Sequence, residues 1–324
     1  CFFKGLESPW WAVAFGVAYG IALATKINAV LLAPILLIWG HVFHRRGYVN
    51  NFFAMVFLAP VVWVALWPWL WHDTAARILE YLYFFSRHQM TAVFYLGRIY
   101  GYGRENAPWH YPIVMTLVTV PIPVLIFAIC GVARTAVHCR WEYRGILFTV
   151  YAALLLIHAA LPGSPKYDGT RLFFSIFPML AILAGGGADS LVQIFPWTRT
   201  LQVYRNVRVN MRQIVAGVFF AIVLGNGLSA IVTYHPHELS YFNLFTGGLH
   251  GAWERYEFET TYWAEGLNRE VIDNLNTLPE GARIRPMAMH PMVLEHLQEW
   301  GRLRKDLQFN TALPEVAAPD AAED

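Results

Sequence analysis

The residues of this sequence best suited to chemistry are cations set beside apolar runs. Residues 163–171 read GSPKYDGTR, which places Lys166, Asp168 and Arg171, with Tyr167 among them, between two long apolar stretches. Lys26 stands at a similar boundary between two others. A lysine presents a point charge and an arginine a planar fork of donors, and together they match the oxygens of a phosphate. Three cations beside a lipid face suit a lipid phosphate better than a soluble anion, so Lys26, Lys166 and Arg171 are candidates for holding one. The same charges also fit a simpler arrangement, in which they snorkel to the membrane surface or pair with one another. Weaker candidates lie inside apolar runs. His158 is either a proton relay or a hydrogen-bonded interior histidine, Asn226 fits a bond across a helix interface, and Asp189 is expected to reach water at the end of its run.

The elements that must position these residues follow from composition. The 324 residues are 56% apolar and only 14% charged, against about 45–50% and about 25% in soluble domains. So little polar surface implies that lipid covers much of the protein. The net charge of +2 gives no electrostatic case for a nucleic-acid partner. Cys1, Cys130 and Cys139 form neither a disulfide framework nor a CxxC metal pattern, and no phosphate-binding loop, dinucleotide fingerprint, HExxH or nucleophile elbow occurs.

A helix crossing about 30 Å of hydrocarbon needs about 20 apolar residues. Seven stretches come close: 9–25, 27–43, 52–71, 111–133, 145–162, 172–195 and 213–233. The first two are expected to turn tightly at Lys26, since one helix through both would be about 50 Å long. None alternates as barrel strands do. Basic residues set the orientation: loops 44–51, 134–144 and 196–212 carry nine in 36 positions, loop 72–110 only four in 39. The first set is therefore cytoplasmic, and Lys26, loop 72–110, loop 163–171 and the tail from 234 face the exoplasmic side. The expected fold is an all-α polytopic membrane domain, 1–233, followed by an exoplasmic segment, 234–324.

Within loop 72–110, residues 75–86 read as an amphipathic helix lying on the membrane surface or packed on the bundle rim. His88 to Pro112 is rich in His, Tyr, Arg and Gly, which fits either a polar ligand site or an aromatic belt. The tail predicts a helix over 262–278, a strand over 282–289, a helix over 291–303 and a short strand near 307–309, a small α/β unit. It ends in APDAAED, a composition expected to be disordered.

Four stretches resemble the GT-C class of glycosyltransferases, and more narrowly the family of protein O-mannosyltransferases and the lipid A aminoarabinose transferase. They are GIALATKINAVLLAP (Gly20–Pro34), YLGRIY with APWHYPIVMTLVTVPIPVL (Tyr95–Tyr100, Ala107–Leu125), KYDGTRLFFSIFPMLAILAG (Lys166–Gly185), and HPHELSYFNLFTGG with TTYWAEGL (His235–Gly248, Thr260–Leu267). The resemblance implies transfer of a sugar from a polyprenyl phosphate to a glycan, lipid or protein acceptor at the exoplasmic face of a bacterial inner membrane, with no cofactor and no obligatory metal. It places Lys26, Lys166 and Arg171 at the donor phosphate and His88, Tyr95, Tyr167 and Asp168 around the same cavity. The family's catalytic aspartate lies in the first exoplasmic loop. No Asp-Glu motif of that kind precedes residue 26, so the chain is expected to be an N-terminally truncated fragment without its base. A secondary transporter would instead show an internal repeat and broken helices at mid-membrane. No repeat is visible, and the polar groups gather on one face. A membrane scaffold would make the basic loops incidental and the tail a docking surface.

Overall fold

The computed structural model describes residues 1–44, 47–86, 92–101, 105–137, 142–194, 200–204, 207–262, 265–284 and 292–309. His88, the terminal APDAAED, and Arg45, Arg46, Arg87, Arg104, Arg140, Arg199 and Arg205 of the charge argument lie outside them.

The protein is mainly helical. In chain order the helices are α1 (Phe2–Gly5), α2 (Pro9–Thr25), α3 (Leu32–Phe43), α4 (Tyr48–Phe53), α5 (Ala59–Leu66), α6 (Thr74–Ser86), α7 (Tyr111–Thr119), α8 (Ile122–Val137), α9 (Glu142–Ala160), α10 (Ile176–Ile194), α11 (Met211–Tyr234), α12 (Gly248–Glu254), α13 (Arg269–Asn276) and α14 (Met292–Glu299). The strands pair two by two: β1 (Val93–Tyr95) with β2 (Arg98–Tyr100) and β3 (Thr200–Tyr204) with β4 (Val207–Asn210), both antiparallel, and β5 (Arg283–Ile284) with β6 (Gln308–Phe309), parallel.

Three helices among the described residues are long and apolar enough to cross a membrane: Tyr48–Leu66, Ile176–Ile194 and Met211–Tyr234. The pair α7 and α8 makes a fourth if taken as one broken span, and the other three expected stretches are shorter apolar helices. This is a membrane-embedded architecture in which several expected crossings are interrupted, and each interruption has a local cause. Lys26 is extended (φ −158°, ψ 126°) and ends α2, so the expected turn there is present. A 3₁₀ turn over Ile27–Leu31 then leads into α3. Pro60 lacks an N–H, and a π turn over Ala54–Leu58 precedes it, letting α4 and α5 run on as one helix. Val120 is extended before Pro121, and α7 and α8 meet at a bend of 117° where the sequence pattern reads a single span.

That bend frees carbonyls in an apolar setting, and a residue more than 120 positions away satisfies them. Asn243, only 2% exposed, donates its amide to Leu117 O (2.6 Å) and Val120 O (2.7 Å), and its backbone N–H bonds Val118 O (2.8 Å). The segment after α11 is therefore part of the bundle. Phe242, Ala252 and Phe258 share one core with Val93, Tyr95, Tyr111, Met115 and Tyr151.

Helices α8 and α10 pack backbone to backbone. A Cβ on Gly187 would lie 1.9 Å from Phe127 O, and one on Gly131 2.0 Å from Leu183 O, so only glycine permits this approach. The α6 helix appears where the amphipathic pattern predicts. Ile78 and Tyr81 pack against Trp63 and Leu70, while Leu79, Leu82, Tyr83 and Phe84 are exposed. In the tail, α13 is shorter than expected because Asn268 caps it, accepting from Val271 N. Leu294, Leu297, Leu303 and Leu307 form a small core with Ile272. Arg304 ties it together by donating to Asn276 O and Leu278 O and pairing with Asp306.

Replacing Asn243 by alanine strands the carbonyls of the α7–α8 bend and is expected to lower stability by about 1–3 kcal/mol. Asn243→Asp, which sets a carboxylate against the same carbonyls, should lower it further. Thermal unfolding in detergent reads both, and an aspartate variant as stable as wild type would remove Asn243 from this role.

Candidate functional site

Two turns far apart in sequence are stapled together. The Lys26 amine donates to Arg171 O (2.9 Å) and the Asn28 amide to Leu172 O (3.1 Å). Both turns face a cavity of about 570 Å³ lined by Lys26, Asp168, Arg171, Phe174, Phe177 and Tyr262, with Glu238, Leu239 and Tyr241 from the segment after α11. Three of the residues singled out in the sequence thus meet on one wall. Side chains of the HPHELSY and TTYWAEGL stretches, which carried no expected site residue, line the same cavity.

The electrostatics distinguish the two cations. Arg171 pairs with Asp168 at 2.8 Å, and Glu238, which also lines the cavity, pairs with His235 at 2.7 Å. Lys26 makes no ion pair among the described residues; its amine donates to the Arg171 carbonyl. Burial, and then the positive charge of Arg171, hold the Lys26 ammonium below its usual value. An anion entering the cavity would relieve both effects.

Asp168 and Gly169 both have left-handed backbones, with φ 53° and 60°. A Cβ on Gly169 would come within 2.9 Å of the Tyr262 ring, so this turn needs glycine for space and for conformation. Tyr111 donates its hydroxyl to Gly169 O (3.4 Å) and Tyr262 donates its own to Glu259 O (2.8 Å). Glu259 N in turn donates to Phe94 O (3.0 Å), which joins the β1–β2 hairpin to the floor of the site. The hairpin turn at Leu96 and Gly97 has positive φ at both residues, as a tight two-residue connection requires.

The remaining expected site residues take other positions. Lys166 does not line the cavity. It is 3% exposed and donates to Leu161 O (2.8 Å) and Ser164 O (3.4 Å), closing the turn that follows α9. Burial lowers its pKa. Asn106 supports the same turn through Pro162 O and Ser164 O, both at 2.7 Å. Tyr167 and Tyr95 belong to the hydrophobic core. Tyr95 bonds His110 Nδ1 at 2.9 Å, stacks on Phe258, and has its pKa pushed up to about 12 by burial and by Tyr100. His88 lies outside the described residues. No three His, Cys, Asp or Glu side chains among the described residues gather into a metal site.

No family model, curated protein or solved structure matches this chain.

Glu259 provides a pH test of this arrangement. Burial, with a smaller contribution from Asp168, raises its pKa from 4.5 to about 7. Between those values the folded protein holds a proton that the unfolded chain has released. The stabilisation is therefore complete below about 4.5 and is lost as the pH rises through about 7. Thermal midpoints measured from pH 5 to 8 should fall by the equivalent of about 1–3 kcal/mol. Glu259→Gln, neutral throughout, should flatten the profile; an unchanged slope would place the titrating group elsewhere.

Proposed function

We propose that the protein is a membrane glycosyltransferase that moves a sugar from a polyprenyl phosphate to an acceptor on the exoplasmic face of a bacterial inner membrane. The observation that carries this reading is the half-buried Lys26 ammonium at the wall of a cavity that also holds Arg171 and the apolar side chains of Phe174, Phe177 and Leu239. A cation with no carboxylate partner among the described residues, beside an apolar wall, fits a ligand that is anionic at one end and hydrocarbon at the other. The donor phosphate sits at Lys26 and competes with Asp168 for Arg171. The acceptor's hydroxyl or amine forms the new bond to the anomeric carbon as the bond to the phosphate oxygen breaks. The electron pair leaves on the lipid phosphate, whose charge the two cations hold, and the acceptor's proton passes to a base. Lys166 takes a supporting part here: it fixes the turn that presents Asp168 and Arg171.

The bend of 117° between α7 and α8 favours a second reading, a secondary transporter built on a broken helix. Asn243 already satisfies the carbonyls at that break, which leaves them less available to coordinate a transported ion.

The test uses the full-length protein in membranes with a radiolabelled polyprenyl-phosphate sugar. Lys26→Gln and Arg171→Ala should each weaken donor binding by about tenfold or more, as loss of a charge-assisted hydrogen bond implies. Lys166→Ala should lower the thermal midpoint more than it lowers affinity in the fraction that remains folded. A wild type that binds no such lipid, or cavity variants that bind as well as it does, would overturn the transferase reading.

A further inference from the structure

A second cavity lies farther along α10. The first cavity meets that helix at Phe177, near its N-terminal end, and the second runs along it from Ala181 to Val192, about 6 to 22 Å of helix rise beyond. There α8, α10 and α11 surround an apolar groove of about 510 Å³, walled by Phe127, Ala184, Ala188, Ala216, Phe219 and Val223. Small side chains on α10 open it: a Cβ added to Gly185, which also lines it, would meet nothing within 4 Å. The outer wall is α11, none of whose residues is buried and whose Phe220 is 68% exposed. The groove therefore opens toward hydrocarbon, where water has no polar partners and a lipid chain does not meet that cost.

One end of the groove is charged. Asp189 is held by Arg134 at 3.0 Å and by Arg212 at 3.3 Å, and Arg212 and Asp189 both line the cavity. Arg134 also donates to Gly186 O and Ser190 Oγ, which fixes it to α10. Arg212, half-exposed beside Asp189, sets a guanidinium at the mouth of an apolar slot. By the loop charges, this end faces the cytoplasm, where anionic lipids concentrate and basic pockets between helices bind their headgroups.

We propose that this groove is a binding site for an anionic phospholipid, with one acyl chain between α10 and α11 and its phosphate at Arg212. The site is independent of the donor cavity, and neither Lys26 nor Arg171 takes part in it.

The test is native mass spectrometry of the full-length protein released from nanodiscs of equimolar phosphatidylglycerol and phosphatidylcholine. The wild type should retain phosphatidylglycerol in about fivefold preference, the scale of one basic residue acting near an anionic lipid. Arg212→Gln keeps the Arg134–Asp189 pair and should bring the ratio near unity. Ala216→Phe fills the groove from its outer wall and should reduce retention of both lipids. Equal retention by the wild type, or variants that retain lipid as it does, would overturn the site. A lipid-free dimer would also overturn it, assigning the groove to a second copy of the chain. Thermal midpoints of both variants, read beside the spectra, separate a lost site from a lost fold.

Discussion

A carbonyl released from its helix in an apolar medium must find a donor, and in this protein polar side chains supply it, most of them from far along the chain. The chain breaks its helices at Lys26, at Val120–Pro121 and after α9. Asn243 serves the carbonyls near Pro121. Lys166 and Asn106 serve those after α9. Lys26 and Asn28 serve the turn at 171–172. An unsatisfied carbonyl in hydrocarbon costs several kcal/mol, so these bonds hold the architecture together.

The candidate site is a by-product of this constraint. The bond from Lys26 to Arg171 O brings two cations to one wall, and the left-handed turn at Asp168 and Gly169 directs the Asp168 carboxylate toward Arg171. Tyr262 closes the turn from below because Gly169 leaves room for its ring. Lys166, three residues from Gly169, shares the same loop but not the same work. Its amine is engaged by the carbonyls of Leu161 and Ser164, and Lys26 lines the cavity. Two lysines of equal promise in sequence are separated by which carbonyl each one reaches.

The cavity also alters the sense of the C-terminal segment. Residues 235–262 follow the last long apolar helix and read as the start of a soluble tail. Their aromatic side chains complete the central core with the β1–β2 hairpin, and Glu238, Tyr241 and Tyr262 line the site. The independent α/β unit begins only after them, with its own core around Leu294 and Leu297.

Composition and apolar run length were enough to establish a mainly helical, membrane-embedded chain, because a charge deficit and long apolar stretches have no other stable setting. The turn at Lys26, the amphipathic α6 and the order of elements in the tail were legible for the same reason: each depends on residues within a few positions. The bend between α7 and α8 was half-legible, since Pro121 announces a break but not its angle. What only the tertiary structure decided was partnership. Asn243 reads as an ordinary loop asparagine, and Lys26 and Lys166 as equivalent cations, until the fold brings carbonyls more than a hundred residues away to the first two and local ones to the third. Hydrogen bonds of that span leave no period or spacing in a sequence, so the cavity that they shape could be named only after the chain had folded.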